Sequence, residues 1–103
     1  MKPLAAILLL ASTSIAATVT CYNDHRHRMA DGHRVHLGAV AGPRWVKLGT
    51  RVLIGGRRYT VCDRTARRLN GRWDIWMPLS RRACMKIGKR NLSVRVIKRP
   101  TRR

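Results

Sequence analysis

Two carboxylates stand where acid–base chemistry can be done: Asp63 and Asp74, eleven residues apart in CDRTARRLNGRWDIW (62–76). The 103-residue chain has no Glu and only two other Asp, Asp24 and Asp31, against 23 Lys and Arg. Asp63 follows an alternating run that reads as a strand, so it can project at a sheet rim while Cys62 points to the other face. Asp74 alternates with Trp73 and Ile75. A carboxyl group held beside bulky apolar side chains is costly to ionise. Its pKa rises, and it can then protonate a leaving oxygen, as glycosidic cleavage requires. The surrounding Arg64, Arg67, Arg68 and Arg72 act in the opposite direction. Pairing of each Asp with an arginine such as Arg64 or Arg72 is the competing, purely structural role.

Two further groups of residues bear on chemistry. Tyr22, Trp45, Tyr59, Trp73 and Trp76 are all the aromatics of a chain without Phe. Trp73 and Trp76 bracket Asp74, and Trp76 serves either as a stacking surface for a sugar ring or as packing. The segment CYNDHRHRMADGHRVH (21–36) gathers four His, two Asp and a Cys. His25-x-His27 and His33-x-x-His36 are conceivable metal ligands, but the interleaved Arg26, Arg28 and Arg34 oppose a cation and no firm ligand spacing appears. The segment reads as a solvated basic loop, and no metal or cofactor is expected.

The elements that must position these residues are short. TVTCYN (18–23), VHLGAVA (35–41), RVLIG (51–55), RRYTVC (57–62) and LSVRVI (92–97) are strand-like runs separated by Gly and Pro. Gly55-Gly56 is a two-residue hairpin signal. One helix is expected from Ser80 to about Ile87, with Ser80 as N-cap and Gly88 as stop. The closing KRPTRR reads as a basic tail. Several short strands with a single helix in the C-terminal half predict a mainly β, small closed barrel.

The N-terminus predicts export. Lys2, the apolar LAAILLLA (4–11) and the small residues Ser14 and Ala16 match a cleavable signal over residues 1–16, too short in its apolar part to span a membrane. Cleavage after Ala16 leaves 87 of the 103 residues, one domain over 17–98 with a basic tail over 99–103, and no transmembrane span. A domain of that size has a modest reserve of stability, and an exported chain can oxidise its cysteines. Cys21, Cys62 and Cys84 allow one intrachain disulfide, with three possible pairings. Loss of Lys2 takes the formal charge from +19 to +18. That excess favours polyanionic partners. For an exported protein these are wall polymers or anionic lipid rather than nucleic acid.

The pieces VTCYN (19–23), ADG (30–32), GAVAGPRWVKLGTRVLI (38–54), YTVCDRT (59–65), GRWDIW (71–76), SRRACMKIG (80–88) and VRVI (94–97) come in an order and spacing that resembles the three-aspartate (3D) domain. That domain is related to the double-psi β-barrel of membrane-bound lytic transglycosylase A and to the rare lipoprotein A family. The likeness covers nearly all of the chain beyond the signal. It implies a six-stranded double-psi barrel with Asp63 and Asp74, matching the family's second and third aspartates, in one surface groove. It further implies a monomer that acts on peptidoglycan or another anionic wall polymer. Asp74 would be the acid/base for cleavage between N-acetylmuramic acid and N-acetylglucosamine. Asp63 would be its partner, and Thr65, Trp76 and Tyr22 would be substrate-binding residues. Cys84 falls at a small, buried helix position of the family, which makes Cys62–Cys84 the implied disulfide. The chain departs from the family at Gly42, where the first aspartate is usual, and at Arg64-Thr65-Ala66, where Thr-Gly-Gly is common. A wall-binding module without catalysis, or an exported cationic protein that binds polyanions, is the alternative expectation.

Overall fold

A computed structural model describes residues 14–24 and 28–99. Residues 1–13 of the expected signal, the candidate ligands His25 and His27, and residues 100–103 of the tail lie outside it. Six strands form among the described residues: β1 (Ile15–Tyr22), β2 (Ala39–Gly42), β3 (Arg51–Ile54), β4 (Arg57–Arg64), β5 (Trp73–Trp76) and β6 (Arg90–Lys98). One helix, α1 (Arg81–Ile87), joins β5 to β6, and a 3-10 turn spans Arg67–Leu69. The strands close into a barrel in the order β1-β5-β2-β4-β3-β6. The β1–β5 and β2–β4 pairs are parallel and the other four antiparallel. The expected class, a mainly β six-stranded barrel with one helix, is what forms, and its architecture is compatible with a double-psi barrel.

Local chemistry explains the sharpest boundaries. Gly55 and Gly56 turn β3 into β4 with positive φ at both residues (57° and 84°), the backbone that a tight hairpin turn needs. Ser80 accepts a hydrogen bond from the Ala83 N–H through its side chain, satisfying one open donor of α1, and Gly88 ends the helix at φ 62°. β2 is shorter than the sequence pattern suggests. Residues before Ala39 fold back over the barrel instead, where the Asp31 N–H donates to the Cys62 carbonyl at 3.0 Å. The expected cleavage point after Ala16 lies two residues inside β1, whose first rungs pair Ile15 with Val94 and Ala16 with Ser93.

Inward residues alternate along the strands and fill the barrel: Val19, Val40, Val52, Val61, Trp73, Ile75 and Val94 are all buried. Gly42 belongs to this packing. A Cβ there would stand 3.2 Å from Val61 Cγ1 and 3.3 Å from the Trp73 ring. The position at which the resemblance sets a first aspartate is therefore sealed here. Gly42→Asp is expected to cost at least about 2 kcal/mol, through overpacking and burial of a carboxylate. Chemical denaturation measures it, and a variant as stable as wild type would contradict this packing.

The disulfide joins Cys21 to Cys84, with Cα atoms 5.4 Å apart, and corrects the implied Cys62–Cys84 pairing. Helix α1 packs against β1, so Cys84 meets the end of that strand. Cys62 lies on β4, three strands round the barrel, which puts it roughly 10 Å or more from β1 and beyond the ~7 Å limit for bridging. Cys62 is a free, buried thiol.

Candidate active site

Asp63 and Asp74 reach one groove because their strands share a neighbour. Asp74 on β5 is in register with Thr20 on β1 and with Ala41 on β2, and Ala41 is in register with Asp63 on β4. Residues on one rung project from the same face of a sheet. The order Asp63–Ala41–Asp74–Thr20 therefore runs across four strands on the outside of the barrel. Two strand spacings separate the backbones of the acids by about 10 Å. Ala41 between them has only a methyl group, which leaves open floor.

A β-bulge makes this arrangement possible. Val40 pairs with Val61 but Ala41 pairs with Asp63, so Cys62 is an extra residue on β4. Strict alternation from inward Val61 would turn Asp63 into the core. The extra residue re-aims it outward. Cys62 consequently does not face the opposite side from Asp63, as the alternation pattern suggests. It packs with Met29, Ala39, Val35 and Trp76 on the outer face.

The groove has a volume of about 230 Å³ and is lined by Tyr22, Ala41, Asp63, Thr65, Leu69 and Asp74 among others, with Arg28 and Arg64 at its edge. Asp63 is held by three donors: the Tyr22 hydroxyl at 3.3 Å, the Ala30 N–H at 2.9 Å and the Arg64 N–H at 2.9 Å. Burial, reinforced by the charge of Asp63, pushes the Tyr22 phenol well above its ordinary pKa, so it remains a donor. Asp74 has one described partner, the Thr20 hydroxyl, which donates to Oδ1 at 2.5 Å. Burial raises the pKa of Asp74. The Thr20 hydrogen bond and the Arg72 charge lower it, the Asp63 charge raises it, and the net shift is upward. One acid is thus fixed by donors and the other is biased toward its protonated form.

Four of the expected site residues, Asp63, Asp74, Thr65 and Tyr22, line this groove. Thr65 is buried, and its hydroxyl has no hydrogen-bond partner among the described residues. Trp76 is not part of the described lining. Its indole N–H donates to the Asp24 carbonyl at 2.9 Å and its ring packs against the Cys62 cluster, so it anchors the segment after β1. Thr20 and Ala41 were not legible as site residues, because only the register of β5 with β1 and β2 places them there. The sole trace in the sequence is that Thr20 and Tyr22 share a parity along β1.

The His-rich segment forms a different cluster. His36 Nε2 lies 3.8 Å from Cys62 Sγ, and its Nδ1 is 2.8 Å from the Leu37 carbonyl. Burial raises Asp31, but the His33 N–H, at 2.9 Å from Oδ1, and the His33 ring, at 3.3 Å from Oδ2, outweigh it and hold the carboxyl below its ordinary pKa. Burial, followed by the charge of Asp31, pushes the Cys62 thiol up to about 12. A group so placed is a poor nucleophile at neutral pH. Among the described residues, no three His, Cys or Asp side chains converge on a metal site, and no helix is long and apolar enough to cross a membrane. Compared with protein-family models, curated proteins and solved structures, the chain has no match.

Proposed function

We propose that this protein is exported and cleaves peptidoglycan in the manner of a lytic transglycosylase, on a barrel of the double-psi, three-aspartate type. The observation that carries the reading is the shared rung: two carboxylates flank the methyl floor of one groove, and burial favours the protonated form of Asp74. The signal-like N-terminus, the disulfide and the cationic surface support an extracytoplasmic setting and an anionic polymer as partner.

In this mechanism Asp74 donates its proton to the glycosidic oxygen as the bond to the N-acetylmuramic acid C1 breaks. Asp63 presents its negative charge to the oxocarbenium ion that develops. The ionised Asp74 then takes the proton of the muramyl 6-hydroxyl while that oxygen closes on C1. The acid is regenerated and the product carries a 1,6-anhydro ring. One carboxyl group serves both steps because no water is activated. In this reading Thr65, on the lining of the groove, is a substrate contact.

Solubilisation of purified sacculi, followed as loss of turbidity, tests the reading. Wild-type protein is expected to clear them. Sedimentation of the protein with sacculi that stay turbid would favour a binding module instead. Tyr22→Phe removes one of the three donors to Asp63. A hydrogen bond to a charged group is worth about 1.5 kcal/mol, so clearance should slow roughly tenfold with little change in sacculus binding. An unchanged rate would remove Asp63 from the mechanism.

A further inference from the structure

A cavity larger than the acid-bearing groove, of about 790 Å³, lies beside it between the end of β1 and α1. Its wall includes the Cys21–Cys84 disulfide and Met85, and its cations are Arg81 and Lys89. Met85 is 71% exposed, and Arg81 and Lys89 are also exposed, so the three are presented to solvent rather than committed to the core. Tyr22 and Asp24 line both cavities. Thr20, which donates to Asp74, lines the larger one as well. The two spaces are therefore neighbours, the acids lining one and a cationic, partly apolar basin forming the other. Asp24 is the only acid on the described lining of the basin, and it sits among the residues shared with the groove.

We propose that this basin binds the peptide stem carried by the glycan, pairing Arg81 and Lys89 with the stem's carboxylates, and so makes the protein selective for peptide-bearing strands. The proposal rests on the function proposed above. A strand without stems offers only the lactyl carboxylate of each muramyl residue, held close to the sugar, and little apolar surface for Met85. A short peptide with acidic groups and small apolar side chains supplies both kinds of contact. The size also fits, since sites for ligands of a few hundred daltons fall in the range of roughly 300–1,000 Å³.

Binding of the Asp74→Asn protein to soluble glycan strands of matched length, either with stems after endopeptidase release or stripped of them by an amidase, provides the test, since no cleavage of the glycan is needed. The expected result is at least tenfold tighter retention on the peptide-bearing material. Arg81→Glu/Lys89→Glu should abolish that preference. An acidic residue in the first turn suits a helix N-terminus, so Arg81→Glu is compatible with the fold of α1, and circular dichroism checks it. Arg57→Glu/Arg58→Glu, on the exposed hairpin at β4, makes the same change in net charge and should weaken both materials equally. Equal retention of the two materials by the parent, or a preference that survives reversal at 81 and 89, overturns the proposal. Clearance by wild type without any stem preference leaves the cleavage reading intact. A stem preference without clearance leaves the basin and removes the enzyme.

Discussion

Asp74→Asn should lower sacculus clearance by at least about a thousandfold, the scale of losing a positioned general acid, while the protein folds as before. The amide can still accept from the Thr20 hydroxyl, so the one described hydrogen bond of this side chain survives. Stability separates a catalytic loss from a structural one. The folded state raises the pKa of Asp74, chiefly through burial, so it holds the proton more tightly than the unfolded chain does. Folding stability is then lost as pH rises from the ordinary carboxylate range through the raised value. Above that window the wild type bears the cost of a buried charge that Asn does not have. In that range Asp74→Asn should melt at or above the wild-type temperature, with the advantage disappearing in acid. Wild-type clearance should decline on the alkaline side as Asp74 ionises. A variant that melts well below wild type above that window would mean that the carboxylate is a structural partner.

The second large effect concerns the disulfide. Cys21 and Cys84 are separated by 63 residues. Loop-closure entropy for a ring of that size comes to about 4 kcal/mol, and native disulfides of small exported domains usually contribute 2–5 kcal/mol. Cys21→Ser/Cys84→Ser should therefore lower Tm by at least about 10 °C, given roughly 4–8 °C per kcal/mol for a domain of this size. Cys62→Ala keeps the bridge, so reductant should still produce the same drop in that variant. A drop that vanished with Cys62 would return the pairing to Cys62–Cys84.

How far the sequence speaks depends on the distance over which each feature is decided. The hairpin at Gly55-Gly56 and the helix between Ser80 and Gly88 are written locally, in residues whose backbone and capping chemistry admits few alternatives, and both form as expected. The outward Asp74 is legible from its alternation with Trp73 and Ile75. The partners of Asp74 are not. Thr20 lies 54 residues away, across a parallel pairing that no local pattern encodes. Ala41 has no chemistry of its own to draw notice, and it matters only as the gap between two acids. Cys62 misleads for a related reason: one inserted residue on β4 reverses the parity of everything after it. Asp63 enters the groove beside the outward Cys62, and the thiol is remote from Cys84 because β4 lies three strands from β1.

The fate of the sugar distinguishes ring closure from hydrolysis most directly. Digestion of sacculi by the wild-type protein in heavy-oxygen water, with mass spectrometry of the released muropeptides, reads the fate of the muramyl C1. Ring closure catalysed by one carboxyl group predicts 1,6-anhydro ends that carry no label from solvent. Labelled reducing ends, or no released muropeptide at all, would contradict it.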